Sequence, residues 1–238
     1  MKLLRFEDLI VYEDKDYILI NKPPHVSTLN ERTADRTSII QLARNYCPQA
    51  QVCHRLDKET SGILVIAKNP EAYRHVAVQF EKRQVKKIYH AVVEGIHNFE
   101  GVDVHLPIKQ TSGGGVRIDK EEGKEAKTIF YTKEVFRRHT LVECHPLTGR
   151  MHQIRIHLAC LKAPIVSDEL YGGRMLYLSE LKRNFNLKKF TEEQPLIKRV
   201  ALHAFALAFK ALSGEPLYVE APYPKDIAAL LRQLRANM

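Results

Sequence analysis

The chain has 238 residues, 45% hydrophobic and 27% charged, which is enough for a sizeable core in one large domain or two small ones. No apolar run approaches the length of a membrane span, and Glu7 and Asp8 bring acid too early for a secretory leader, so the sequence reads as a soluble cytoplasmic protein. Its 37 Lys and Arg against 28 Asp and Glu leave a net charge of +9, which fits a polyanionic partner such as RNA or DNA and also fits a mere solubility feature. Cys47, Cys53, Cys144 and Cys160 form no C-x-x-C pair and read as reduced, mostly packed thiols.

Residues 9–20 hold two strand-like runs about the charged turn 13–16, the pattern of a hairpin. Pro23 and Pro24 then end strand pairing, because proline has no N–H to donate. Residues 25–36 are polar and irregular and read as a mobile surface loop. Ile39, Leu42, Ala43 and Tyr46 recur at helical spacing behind a cap at Thr37 or Ser38. Residues 54–61 are a dense polar run, hinged at Gly62 to an apolar strand over 63–67 of the kind buried on both faces. Asp57 sits in that polar turn, with Arg55 and Lys58 close by in sequence. A carboxylate near positive charge stays ionised and can act as nucleophile or base. An Asp in a turn can equally do no more than bond its own backbone.

Asn69-Pro70-Glu71 opens a helix with a cap, a proline at the first position and early acid, and Tyr73, Val76, Ala77 and Phe80 form its predicted buried stripe. The basic run 82–87 suits a helix C-terminus and a phosphate backbone alike. A strand follows over 88–94, where Tyr89 taken alone is a core tyrosine. Residues 110–123, with glycines at 113–115, read as a flexible connection; no Gly-Lys-Ser/Thr follows to support a phosphate loop. Residues 127–136 and 140–145 form a predicted hairpin. Ile154, His157, Leu158 and Leu161 make a helical stripe that puts His152 and Arg155 on another face. Five-residue spacing turns the rings of His152 and His157 apart, and no acid lies in that block, so no metal is expected. Lys182, Arg183, Lys188, Lys189, Lys198 and Arg199 suit an RNA-facing insertion or a solvated surface segment. A last strand over 217–221 and a terminal helix striped by Ile227, Leu230, Leu231 and Leu234 complete the chain. With no repeat, low-complexity tract or linker, residues 1–238 read as a single domain.

The run H-R-L-D-K-E-T-S-G at 54–62 resembles the active-site motif of the RluA-type pseudouridine synthases. In the same order, K-I-Y at 87–89, T-G-R-M-H-Q-I-R-I-H at 148–157, P-I-V-S-D-E-L-Y-G at 164–172 and L-H-A at 202–204 resemble further segments of that family. Three positions depart from it. Pro24-His25 follow Lys22-Pro23 where the family has a small residue and Gly, and Ser167 stands where Gly is usual.

The resemblance implies an α+β pseudouridine synthase fold with a mixed, largely antiparallel central sheet and flanking helices, in keeping with the hairpin-connected strands. It implies an isomerase that converts uridine to pseudouridine in structured RNA, ribosomal RNA first and transfer RNA as the alternative. No cofactor, metal or membrane is expected, and a monomer is the default. The chain begins directly at the catalytic domain, without the S4-type domain that larger members carry. By the same resemblance Asp57 is catalytic and Arg155 pairs with it. Arg55 enters the space left by a base flipped out of the stack, and Tyr89 and Leu202 pack on the uracil. Two other classes stand beside this reading. A hydrolytic glycosidase wants a second carboxylate, for which the best-matched blocks offer only Glu59. A non-catalytic RNA-binding module would leave Asp57 dispensable.

Overall fold

The computed structural model describes residues 4–30, 37–183, 185–187 and 191–238. In chain order these form β1 (Ile10–Glu13), β2 (Tyr17–Lys22), α1 (Ile39–Tyr46), β3 (Gln51–Val52), β4 (Ser61–Ala67), α2 (Pro70–Glu81) and β5 (Lys86–Glu94). There follow β6 (Glu100–His105), β7 (Ile108–Gln110), β8 (Val116–Ile118), β9 (Lys127–Val135), β10 (His139–Pro146) and α3 (Gln153–Cys160). The last elements are α4 (Leu178–Leu181), β11 (Leu202–Lys210), β12 (Pro216–Glu220) and α5 (Lys225–Ala236). The chain divides into two compact units, Met1–Ile88 with His203–Pro222, and Tyr89–Leu202 with Tyr223–Met238. Among the described residues no helix is long and apolar enough to cross a membrane.

In the first unit β1 and β2 make the expected antiparallel hairpin. Asp14 closes its turn, Oδ1 accepting from the N–H groups of Asp16 and Tyr17 at 2.8 and 2.6 Å. β2 runs antiparallel to β4, from Tyr17 opposite Ala67 to Lys22 opposite Gly62. The other edge of β4 takes β3 antiparallel at one end and β11 parallel at the other, and β12 pairs antiparallel with β11. The sheet is therefore mixed and largely antiparallel. Neighbours on both edges explain why all seven residues of β4 are buried, as its apolar run predicts.

The helices of this unit follow their caps. Ser38 Oγ accepts from the Gln41 N–H, and Asn69 Oδ1 from the Ala72 N–H. Tyr46, placed by spacing on the buried side of α1, is exposed instead, its hydroxyl donating to Glu13. On α2 the buried line is Ala72, Val76 and Gln79 rather than the stripe through Tyr73, Ala77 and Phe80. Gln79 turns inward because its amide bonds both backbone groups of Lys210, accepting at 2.9 Å and donating at 2.8 Å. The stretch read as a mobile loop is anchored where it is described. The carbonyls of Ser27 and Thr28 accept from Ile39 and Ile40, whose N–H groups open α1. Residues 31–36 lie outside the described residues.

In the second unit β5 pairs with β10, β10 with β9 and β9 with β6, all antiparallel. The predicted hairpin is β9–β10; β6 is an added strand with no sequence forecast. Residues 110–123 are not merely a flexible connection. β7 and β8 form an antiparallel hairpin across the glycines, with Ile108 and Val116 buried against Ala126 and Ile156. α5 buries Ile227, Leu230, Leu231 and Leu234 in a core shared with Val92, Phe130 and Leu158, as its spacing predicts. Arg199 is 2% exposed and bidentate to Asp226, at 2.7 and 3.0 Å, so it faces no solvent or RNA. Lys182, Arg183 and Lys198 are exposed, while Lys188 and Lys189 lie outside the described residues. Of the cysteines Cys160 is exposed and Cys144 buried, the other two being intermediate. Burial pushes the Cys53 thiol up to about 12 and Cys144 well above its usual range.

Candidate active site

The turn that carries Asp57 grows out of strand pairing. β3 ends at Val52, but the Cys53 N–H still reaches the Val65 carbonyl of β4 at 3.1 Å. At the next position a side chain takes over, the Val65 N–H donating to His54 Nε2 at 3.2 Å. The His54 ring packs on Phe80 with centroids 5.0 Å apart. Burial, and next the Lys87 cation, lower its pKa to about 3, so the imidazole is neutral and remains an acceptor.

Both neighbours of Asp57 are pinned. Thr28 Oγ1 donates to the Leu56 carbonyl at 2.8 Å and accepts from the Leu56 N–H at 3.2 Å. The Lys58 carbonyl accepts from the His25 N–H at 2.7 Å and from Lys22 Nζ at 3.2 Å. Lys22 is fully buried and also donates to the carbonyls of Pro23 and Val26. The Lys-Pro corner thus acts as a knot of three carbonyls around one ammonium, with His25 at φ 64° beside it. The Asp57 carbonyl accepts from the Thr60 N–H at 3.1 Å, completing the turn. Beyond it Ser61 Oγ bonds His203 Nδ1 at 3.0 Å, and His203 Nε2 bonds the Ala221 carbonyl at 3.0 Å. A carbonyl only accepts, so Nε2 carries a proton. Asp57 itself is half-buried and Arg55 exposed. This is a carboxylate on a backbone with little freedom, as a reacting group needs.

The second unit holds Tyr89, Arg155 and Leu202. Tyr89 lies on β5 opposite Cys144, half-buried against the same apolar cluster that contains Leu202. Leu202 is 3% exposed, and its carbonyl accepts from Arg199 Nη1 at 3.2 Å. Arg155 sits inside α3, where residues 153–158 are all buried. His152 does not share a helix face with it. His152 is the residue before the helix, in the left-handed region at φ 52°, with Nδ1 on the Tyr171 hydroxyl at 2.9 Å. His157 bonds Thr128 Oγ1 and the Leu106 carbonyl, both at 3.0 Å, so the two histidines serve different partners.

Two residues with no role in the sequence reading organise this unit. Gln153 accepts from Thr148 Oγ1 and the Arg150 N–H and donates to the Lys127 carbonyl and Thr128 Oγ1, knitting the 148–153 loop to β9. Asp168 takes Arg155 in a bidentate pair, Nε to Oδ2 at 2.7 Å and Nη2 to Oδ1 at 2.6 Å. The signal that could have found Asp168 is an arginine set between Ile154 and Ile156 on a buried helix, since a buried guanidinium requires a carboxylate. Beside it Ser167 does adopt the left-handed conformation, φ 62°, that glycine would take more cheaply. Its hydroxyl offsets part of that strain by donating to the Ile197 carbonyl at 2.9 Å.

Comparison with known proteins gives concordant results. The profile of the family described as RNA pseudouridylate synthase matches residues 16–160. The chain is 36% identical over 236 residues to the ribosomal large subunit pseudouridine synthase D of Xanthomonas campestris, covering 96% of this chain and 70% of that one. It is 34% identical over 241 residues to the ribosomal large subunit pseudouridine synthase C of Escherichia coli K12, covering 98% and 72%. The solved structure of human RNA pseudouridylate synthase domain containing 1 superposes with a TM-score of 0.70 at 26% identity, covering 99% and 98%.

Proposed function

This chain belongs to the RNA pseudouridylate synthase family, and we propose that it isomerises uridine to pseudouridine in large-subunit ribosomal RNA with Asp57 as its catalytic residue. The enzyme class itself follows from the family: the protein is an RNA pseudouridine synthase, an isomerase. The RNA class is supported by the relatives, whose names specify the large ribosomal subunit. The assignment of Asp57 is carried by the turn, whose backbone is bonded at Leu56, Asp57 and Lys58 around a half-buried carboxylate.

The reading takes residues 1–238 as one catalytic domain. The target base leaves its stack to reach the pocket, and Arg55, exposed at the head of the turn, fills the space it leaves. Tyr89 and Leu202 pack on the uracil, a sequence-tolerant contact that stabilises by about 1–3 kcal/mol per stacked base. Arg155 pairs with Asp57 and orients it. Asp57 initiates cleavage of the bond between C1′ and N1, the base turns in the closed pocket, C5 bonds to C1′, the C5 proton passes to solvent, and N1 takes up a proton in its place. Product and substrate are isomers, so the reaction consumes neither an oxidant nor water.

The test is tritium release from RNA labelled at uridine C5, with wild type and Asp57→Asn side by side on ribosomal and transfer RNA from cells lacking this protein. Release from ribosomal RNA by wild type alone is expected. Turnover by the Asn variant would remove Asp57 from the mechanism, and release from transfer RNA alone would change the substrate.

A further inference from the structure

We propose that Asp168 is a positioning residue for Arg155, an inference that rests on the reading that Arg155 serves Asp57. Arg155 is 8% exposed and Asp168 1% exposed, so their pair is shut away from solvent. Two parallel bonds along one edge of the guanidinium fix both its plane and its rotation, which a single bond would not do. The ring of Tyr171 covers one face, with the guanidinium carbon 5.0 Å from the ring centroid. Tyr171 is itself held, its hydroxyl accepting from the Val116 N–H at 2.9 Å and bonding His152 at 2.9 Å.

The turn that presents Asp168 is rigid as well. The Asp168 N–H donates to the Ile165 carbonyl, and its carbonyl accepts from the N–H groups of Tyr171 and Gly173. Buried ion pairs of this kind are often no better for stability than apolar residues of the same volume. A need to aim the guanidinium accounts for the pair where stability does not. Charge gives a second reason. Whatever becomes of the Asp57 carboxylate during the reaction, Asp168 keeps a counter-charge beside Arg155 throughout.

Asp168→Asn keeps the shape and removes the charge, and turns an amide N–H₂ toward one guanidinium donor. Single-turnover tritium release and RNA binding are measured per folded protein for this variant, in the wild-type and the Arg155→Lys backgrounds. The expected loss of rate is on the order of 10²-fold in the wild-type background, with RNA affinity unchanged. In the lysine background, where no bidentate contact exists to lose, the same substitution costs less than about threefold. Asp168→Glu keeps the carboxylate and is expected to recover part of the rate; it carries the comparison if the Asn variant does not fold. Wild-type rate in both variants, or an equal loss in both backgrounds, overturns the inference and leaves the function intact. No release by wild type itself overturns the reading of function and this inference with it.

Discussion

Gly62 and Ala204 meet where β4 and β11 run parallel, so closely that a Cβ on Gly62 would lie 2.1 Å from the Ala204 carbonyl oxygen. Gly62 also holds φ at +119°, where L side chains rarely go. Gly62→Ala combines an overpacking cost of about 1–3 kcal/mol with a backbone strain of about 1–3 kcal/mol. The melting temperature is expected to fall by roughly 6–12 °C for a loss near 3 kcal/mol. A melt within about 2 °C of wild type would show that β11 gives way at no cost, against the close approach described.

His54 makes the fold sensitive to acid. Its pKa is about 3 in the folded chain, through burial and then Lys87, against roughly 6.5 when unfolded. Between those values the unfolded chain binds the extra proton, so stability rises with pH through that window and is fully present above it. His54→Gln keeps an acceptor for the Val65 N–H and lacks the titration. From pH 7 to pH 5 wild type should lose on the order of 2 kcal/mol more than the variant in urea unfolding. Parallel losses in the two proteins would contradict an imidazole held neutral by the fold.

How much was legible follows from how local each cause is. β4 and α5 could be read because an apolar run and an i, i+3, i+4, i+7 stripe state their burial directly. The turn around Asp57 could be read from its motif. What escaped depended on partners distant in sequence or on backbone bonds. Arg199 looked like surface charge because Asp226 lies 27 positions downstream, and Arg155 finds Asp168 13 positions on. The β7–β8 hairpin escaped because glycines 113–115 carry no strand signal, while the Thr111 N–H to Gly115 carbonyl bond closes the turn. Gln79 escaped because only the backbone of Lys210 explains a buried amide on α2.

Lys22→Met tests the knot beneath the turn. The methionine fills the buried space of the stem and removes the donor to the carbonyls of Pro23, Val26 and Lys58. Leaving a buried carbonyl unpaired costs about 1–3 kcal/mol, so a loss of about 3 kcal/mol or more is expected. Because the His25 N–H bonds the same Lys58 carbonyl, its hydrogen exchange should quicken beyond the change in global stability. Unchanged relative protection at His25 would separate Lys22 from the geometry of the turn.

Asp226 anchors Arg199, which in turn bonds the Leu202 carbonyl. Burial raises the Asp226 pKa, but the bonds and charge of Arg199 lower it further, and the net shift is downward. A depressed carboxylate stabilises the fold above its unfolded pKa, near 3.9, and that contribution is lost as pH falls through the folded value. Asp226→Ala removes the carboxylate from a guanidinium that is 2% exposed, which should cost about 3–5 kcal/mol at pH 7. The melting gap between wild type and variant should then narrow below about pH 4, as wild type protonates the same group. On the proposed reading, in which Leu202 packs on the uracil, loss of the anchor for the Arg199 that bonds the Leu202 carbonyl should also raise KM for RNA at temperatures where the variant is fully folded. A variant as stable as wild type at pH 7 would mean that Arg199 finds an equivalent partner when Asp226 is gone.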